Sequence, residues 1–398
     1  MEMNRFPAAL WQLGFRPFFL LAGIVAVVEI GVWMGSWHGA APVGYYPGAL
    51  LHAHEILFGY TVAVVSGFLL TAVRNWTGQP TPSGVPLILL AGLWLAGRLL
   101  PWLPVPPLLT ALTDLAFLPA LMAALIPPLV RGNKPHHLMF VVILGVMAVA
   151  NLLVHAEILG ESRDTARPGV YLAAHLVLLL ITLLGGRVIP LFTRNGLLRH
   201  GVRHEPRTHP LLERLTLYGL IAWIALRLQL DSGWPLVLLS VVVGVAQLAR
   251  LSLWWHRAVL REPLLWILFA GYGWMGLGFL LTAAAASGWL PLSTALHAFT
   301  AGGIGAMTLG MMTRVALGHT GRELSVGRPI VAAYLLLNLA ALLRVAGPLA
   351  WPEHTLLWLD LAGGCWILAF LLFLAVYAPI LTHPRVDAIP PRQPAPAR

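Results

Sequence analysis

The stretch HAHEILFGYTVAVVSGFLLTAVRNWTG, from His52 to Gly78, decides the fold of this chain. About twenty apolar residues, the length that crosses a bilayer as a helix, separate a polar head from a polar tail. The head, His52-Ala53-His54-Glu55, places two imidazoles and a carboxylate where the hydrocarbon begins. Polar groups at that depth are costly and usually have partners, so the stretch predicts a membrane helix that carries a functional site.

The composition of the whole chain is that of a helical membrane protein. Of its 398 residues 59% are hydrophobic and only 10% are charged, against about 25% charged in soluble domains. The net charge of +10 does not indicate a nucleic-acid partner, because Lys and Arg lie in short loops and act there as topology signals. The single cysteine, Cys365, excludes a disulfide framework and a cysteine-based metal site. We therefore expect an all-α polytopic protein in contact with the lipid bilayer.

Apolar runs of spanning length predict about twelve transmembrane helices. They cover residues 18–37, 52–73, 85–100, 107–130, 137–157, 169–190, 212–230, 234–255, 263–286, 293–313, 329–347 and 355–381. We interpret residues 1–382 as a single transmembrane domain, and residues 383–398, rich in Pro and Arg, as a disordered cytoplasmic tail.

The basic residues determine the orientation of these helices. If the N-terminus is cytoplasmic, only a few of the 25 Lys and Arg residues fall on the outer side, namely Arg98, Arg163, Arg167, Arg227 and Arg344. One missed span would scramble this alternation, since every later loop would change sides. The sequence therefore predicts that both termini are cytoplasmic.

Several histidines lie at one depth in this orientation. Counting about 1.5 Å per residue from the helix ends places them in the outer third of the membrane. They are His52, His54, His155, His175 and His297. Histidines that only anchor helices at the interface would scatter between both faces, so the shared level indicates a metal or haem site. The alternative is a polar network that packs helices together.

His52 and His54 face opposite ways on an unbroken helix. Two residues correspond to about 200° of rotation, so both imidazoles cannot ligate one metal. Glu55 stands three residues from His52, where it is suited to receive a proton from that imidazole. Asn151 lies one turn from His155 and is suited to fix its tautomer. Neutral imidazole suits copper, zinc and haem iron.

Intramembrane carboxylates form a further group, Glu29, Asp114 and Asp360. Carboxylates at such positions are typical of proton relays. The alternative is a structural hydrogen bond to a neighbouring helix. Both interpretations stand on the sequence alone.

The second, sixth and tenth predicted helices carry histidines and end in a Thr/Arg signature. The signatures are Thr71-Ala72-Val73-Arg74, Thr193-Arg194 and Thr313-Arg314. This spacing predicts three four-helix pseudo-repeats. Such units resemble the catalytic subunit of the haem–copper oxidases and nitric oxide reductases, in which haem ligands come from helices 2 and 10. The chain departs from that pattern because its seventh helix has no histidine.

The motifs of the chain also resemble those of the NnrS family. They are Gly14-Phe15-Arg16-Pro17-Phe18-Phe19, His52-Ala53-His54-Glu55, Asn75-Trp76-Thr77-Gly78, Gly186-Arg187-Val188-Ile189-Pro190 and Met311-Met312-Thr313-Arg314. Arg74 stands where we expect Pro. The resemblance implies a protein of the bacterial inner membrane that contains haem b and copper. It also implies a role in the nitric oxide response, in denitrification or under nitrosative stress.

Depth, spacing and this resemblance lead to one hypothesis for the cofactors. His54 and His297 are the expected axial ligands of the haem. A second metal, copper by preference, is expected at His155 and His175, with His52 as a further ligand.

The expected function is to bind and detoxify nitric oxide, as a nitric oxide reductase that takes electrons from a separate donor. The proton route is expected at Glu55, Glu29 and Asp360. The outer arginines Arg98, Arg227 and Arg344 are expected to pair with haem propionates, or else to snorkel. The alternatives are a secondary transporter, which also has many spans and internal repeats, and a protein that handles haem or copper without turnover.

Overall fold

The computed structural model describes residues 9–40 and 44–388, and within these ranges it contains helices and no strands. The long helices are α1 (Phe15–Trp37), α2 (Ala49–Thr77), α3 (Val85–Leu99), α4 (Pro107–Arg131), α5 (Leu138–Ile158), α6 (Ala166–Arg199), α7 (Pro210–Arg227), α8 (Trp234–Trp254), α9 (Pro263–Ala286), α10 (Leu292–His319), α11 (Arg328–Ala350) and α12 (Thr355–Thr382). The prediction of an all-α polytopic protein with twelve helices is confirmed.

In the described part of the chain, 11 helices are long and apolar enough to cross a membrane, so the chain is a multi-pass membrane protein. The exception is α7, whose 18 residues include the charged side chains of Glu213, Arg214 and Arg227. The third predicted helix, the shortest apolar run, is long and apolar enough over Val85–Trp102.

The most buried helices of the bundle are α2, α10, α9 and α6. Their most apolar segments are 83%, 72%, 61% and 56% buried, whereas those of α1 and α12 are 33% buried. Helices α2, α6 and α10, which we call the three central helices, contact one another, and α1, α11 and α12 pack around α2 and α10. The helices that carry the predicted repeat signature therefore lie together.

A π-helical segment follows a histidine in both α2 and α10. In α2 it covers Glu55–Thr61, directly after His54, and in α10 it covers Ala298–Ile304, directly after His297. The wider turn rotates the head of each helix relative to its lower part, and such segments are frequent at functional sites. Helix α6 is a continuous α-helix across His175, so the internal resemblance is strongest between α2 and α10.

The ends of two predicted elements differ in the structure. Helix α6 continues far beyond residue 190 to Arg199, through Pro190, and includes Thr193-Arg194. At the carboxyl end, Arg385 forms an ion pair with Asp387, and the Val386 N–H donates to the Thr320 carbonyl at 3.1 Å. Residues 383–388, predicted as part of a disordered tail, therefore pack on the end of α10. The rest of that predicted tail, 389–398, lies outside the described residues.

Candidate functional site

His52 lies on the side of α2 that faces α1. Its Nδ1 is 2.8 Å from Glu29 Oε1, and its ring stacks on Trp33 with the centroids 4.9 Å apart. Because an ionised carboxylate only accepts, Nδ1 carries the proton and donates, which leaves the Nε2 lone pair free.

His297 shows the same arrangement on α10. Its Nδ1 donates to the Ser293 carbonyl at 2.7 Å, and a carbonyl requires the proton on that nitrogen. Among the described residues, neither His52 nor His297 has a hydrogen-bond partner for Nε2. Each ring is therefore oriented through Nδ1 and offers Nε2, the arrangement in which imidazole binds a metal.

Both imidazoles line one cavity between α1, α2, α10, α11 and α12, which we call the His52–His297 cavity. Its enclosed volume is about 90 Å³, and it continues into open space at its mouth. Much of its wall is apolar, including Ile30, Met34, Ile56, Ile304, Ala340 and Trp366.

Two charged side chains also line this cavity, Arg344 and Asp360. Asp360 Oδ1 lies 3.0 Å from Nε2 of His38, which is 54% exposed. The carboxylate therefore connects the cavity to the surface through an imidazole. Of the arginines predicted to meet haem propionates, Arg344 is the one that the structure places here.

A second polar group lies on the opposite side of α2, and we call it the His54 cluster. It consists of His54, Glu55, Arg98, Asp114, Asn151 and His155, and none of them is more than 6% exposed. Helices α2, α3, α4 and α5 all contribute to it, so it joins four consecutive helices inside the membrane domain.

Arg98 links the two carboxylates of this cluster. Its Nη1 donates to Glu55 Oε1 at 2.6 Å, and its Nη2 donates to Asp114 Oδ1. With neutral imidazoles, two carboxylates and one guanidinium leave one negative charge unbalanced. Because an unbalanced buried charge is costly, the cluster is suited to hold one more cation, either a proton or a metal ion.

Three ligand atoms of the cluster converge. His155 Nε2 lies 3.0 Å and His54 Nε2 lies 3.3 Å from Asp114 Oδ2, and the three atoms are within 4.8 Å of one another. Ligand atoms about 2.0–2.1 Å from a tetrahedral ion are about 3.3 Å apart, so the two distances to Asp114 Oδ2 match those between ligands of a first-row metal ion. Within the described ranges this is the one group of three or more such side chains.

His54 has polar neighbours at both of its ring nitrogens. His54 Nδ1 lies 3.1 Å from Glu55 Oε1, and His54 Nε2 lies 2.9 Å from Asn151 Oδ1. The helix spacing predicted that Glu55 would pair with His52 and Asn151 with His155. In the structure both residues have other partners, since Glu55 and Asn151 both contact His54. His52 Nδ1 donates to Glu29 and not to Glu55. Glu55, at the start of the π segment, accepts a hydrogen bond from Arg98.

Tyr45 and Tyr46, from the loop before α2, contact this cluster. The Tyr45 hydroxyl lies 2.9 Å from His155 Nδ1, and the Tyr46 hydroxyl lies 3.2 Å from His54 Nε2. Burial raises the pKa of Tyr45 to about 12 and the pKa of Tyr46 well above its ordinary value. Both are neutral phenols that donate or accept. The motifs of the sequence did not indicate either tyrosine, although a Tyr-Tyr pair just before the histidine-rich head was a signal.

His175 belongs to neither group. Its ring packs edge-on against Trp223 at 4.7 Å, and it lines a pocket together with Arg227. Arg227 Nη1 donates to Asp231 Oδ1 at 2.5 Å, a bond that lowers the pKa of Asp231. The structure thus places His155, His175 and His52, the expected ligands of the second metal, in three separate environments.

The comparison with known protein families covers nearly all of this architecture. A search of the curated proteins found no match. The family model described as NnrS protein matches residues 9–385, a range that includes all twelve helices, both histidine sites and every motif quoted above. The chain therefore belongs to the NnrS family.

Proposed function

We propose that the chain is a haem-containing protein of the bacterial cytoplasmic membrane, with both termini inside, that binds nitric oxide and removes it. Membership of the NnrS family supports the link to nitric oxide. The observation that carries the haem assignment is that His52 and His297 present free Nε2 atoms to one mostly apolar cavity.

His52 and His297 are the residues that would hold the haem. His54 does not line this cavity and bonds within the His54 cluster on the other side of α2, whereas His52 lines the cavity and its Nε2 is free. The hydrogen bond from His52 Nδ1 to Glu29 raises the basicity of Nε2, as is usual for histidines that ligate metals. In this assignment the haem ligands still come from helices 2 and 10, but His52 replaces His54 in the expected pair.

The remaining residues of the cavity have complementary roles in this proposal. Haem in this cavity would supply a redox-active iron that binds nitric oxide. Arg344 would pair with a propionate, since guanidinium–carboxylate pairs are strong where water is scarce. The apolar wall excludes water and favours a small apolar ligand.

Glu29 and Asp360 are the candidates for a proton route. Each forms a carboxylate–imidazole pair on the cavity, Glu29 with His52 and Asp360 with the exposed His38. Glu29 Oε2 is buried and has no hydrogen-bond partner, so it is available to receive a proton. Glu55 belongs to the His54 cluster, and its proton-carrying role is proposed for that site.

Purification of the full chain with haem supplied during expression tests the haem assignment. We expect a Soret band that is lost in His52→Ala and in His297→Ala and is kept in His54→Ala. A wild-type protein without a Soret band would reject the haem. Retention of full haem in both His52→Ala and His297→Ala would reject the ligand pair.

Nitric oxide removal is tested separately, with an electrode, in an anaerobic solution with a chemical reductant. We expect the haem-loaded protein to consume nitric oxide and His297→Ala to have no activity above buffer. Binding without consumption would point to a scavenger. A protein that contains neither haem nor metal would favour the alternative function, that of a secondary transporter.

Copper has its best candidate site in the His54 cluster. The observation that favours it is the convergence of His54, Asp114 and His155 on one point, with every outer nitrogen or oxygen hydrogen-bonded. Imidazole and carboxylate ligands suit a divalent first-row ion, and copper heads the affinity order of those ions. Arg98 and Tyr45 would orient the ligands through their outer atoms.

Elemental analysis of the purified protein tests this second site. We expect one bound copper ion per chain, and we expect Asp114→Asn and His155→Ala to lose it while the Soret band stays. Glu157→Gln, in the same helix as His155 and outside the cluster, is the matched control. Copper that survives both cluster variants would place it elsewhere, and the cluster would then hold a proton.

A further inference from the structure

A second cavity lies between the three central helices, and we call it the axial cavity. It is formed by Val64, Val65 and Phe68 of α2, Val177, Ile181 and Val188 of α6, and Met307 and Met311 of α10, among others. Its enclosed volume is about 70 Å³, and it exposes no polar surface. Its residues at the mouth, such as Val65 and Val188, are only half-buried.

The two hydroxyl groups in its wall, those of Thr61 and Thr308, donate to backbone carbonyls of their own helices. Thr61 Oγ1 donates to the Ile56 carbonyl at 2.7 Å, and Thr308 Oγ1 donates to the Ile304 carbonyl at 2.6 Å. Water needs two to four polar partners in a cavity, and this wall offers none. Apolar cavities of this kind stay dry and bind small apolar molecules such as xenon.

A thin wall separates the axial cavity from the His52–His297 cavity. Thr61 lines both cavities. Next to it, Tyr60 lines the His52–His297 cavity and Thr308 lines the axial cavity. The Tyr60 hydroxyl donates a hydrogen bond to Thr308 Oγ1 at 2.6 Å. Thr61 is the last residue of the π segment, so the wider turn of α2 places this residue between the two spaces.

We infer that the axial cavity is a binding site for small apolar gas molecules and their route to the His52–His297 cavity. The gas proposed is nitric oxide, and this choice depends on the proposed function. Nitric oxide is small and apolar, and it needs no polar contact to dwell in such a space. The passage between the two cavities would run through this wall, past Thr61 and the Tyr60–Thr308 hydrogen bond.

Crystals of the purified protein pressurised with xenon test the site without any need for haem. We expect anomalous peaks for xenon in the axial cavity of the wild type and a smaller peak or none in Val188→Phe, whose ring would fill the mouth. Val142→Phe, at a position 65% exposed on the outer surface of α5, is the matched control and should keep the xenon. An axial cavity filled by ordered water or a lipid chain, with no xenon, would overturn the proposal.

Flash photolysis of carbon monoxide from the reduced haem protein tests the route. We expect Val188→Phe and Thr61→Leu to slow bimolecular rebinding by about tenfold, which equals a barrier increase of about 1.4 kcal/mol. Val142→Phe should rebind at the wild-type rate. Xenon binding with unchanged rebinding in both variants would overturn the route.

The two tests separate this inference from the haem assignment. A protein without haem removes the proposed function, yet xenon still reports whether the axial cavity takes up apolar gas. A protein with haem and no xenon keeps the proposed function and loses the inference.

Discussion

His52 and His54 are two residues apart in α2, yet they bond to helices on opposite sides of it. His52 Nδ1 is 2.8 Å from Glu29 of α1, and His54 Nε2 is 2.9 Å from Asn151 of α5. The histidine-rich head of α2 therefore serves two sites, an open apolar cavity and a closed charged cluster.

Glu29→Gln should weaken haem binding by about 10–100-fold, the usual effect of losing a carboxylate behind a metal-bound histidine. The amide cannot replace the negative charge next to His52, so the reduction potential should also rise. Haem titration and a redox titration of the purified protein measure both effects. Glu353→Gln, in an exposed turn before α12, is the control. Unchanged affinity and potential would show that Glu29 does not act on the haem.

Arg98→Met should destabilise the protein by about 3–5 kcal/mol, because it leaves two buried carboxylates without their shared cation. Unfolding in mild detergent measures the loss. Arg167→Met, at an exposed position, should change stability by less than about 0.5 kcal/mol.

The double variant Arg98→Met with Asp114→Asn isolates the pairing energy. We expect it to be more stable than Arg98→Met alone, since it removes one of the stranded charges. Additive losses from the two substitutions would contradict the direct pairing of Arg98 with Asp114.

Gly186→Ala should destabilise the packing of α6 against α8 by about 1–3 kcal/mol through overpacking. A Cβ at this position would overlap the guanidinium of Arg250, which donates to the Thr182 carbonyl and to Tyr272, both at 3.1 Å. Thermal unfolding measures the effect. Gly92→Ala in α3, where a Cβ meets nothing within 4 Å, should be neutral. Equal behaviour of the two variants would show that Arg250 can move aside.

Tyr45 should make the protein less stable at alkaline pH. Its pKa in the folded protein is about 12, against an ordinary value of 10.0, so the unfolded chain loses the proton first. Between these values the folded state binds more protons, and stability falls as pH rises. Tyr45→Phe should show a shallower alkaline loss of the unfolding temperature in detergent. Tyr218→Phe, 65% exposed, should keep the wild-type slope. A steeper slope in Tyr45→Phe would contradict the assignment.

Several features were readable from the sequence. The membrane class, the twelve helices and the family motifs follow from apolar runs and from short local patterns. The opposite facing of His52 and His54 was also readable, because two residues of helix set a rotation that no neighbour changes. The sequence also indicates Asn151 and Asp114 as polar groups within apolar runs, but it does not give their partners.

The partners of each histidine were decided by the tertiary structure. The rotation of each helix about its own axis determines which side chains meet, and the π segments after His54 and His297 alter that rotation in a way that no periodicity in the sequence reveals. Tertiary packing joined His54 to Arg98 and Asp114, left His175 beside Trp223, and brought His52 to the cavity of His297. The sequence by itself determined which polar groups enter the membrane, since their cost and depth are local properties. Only the packing of twelve helices decided which of them share a site.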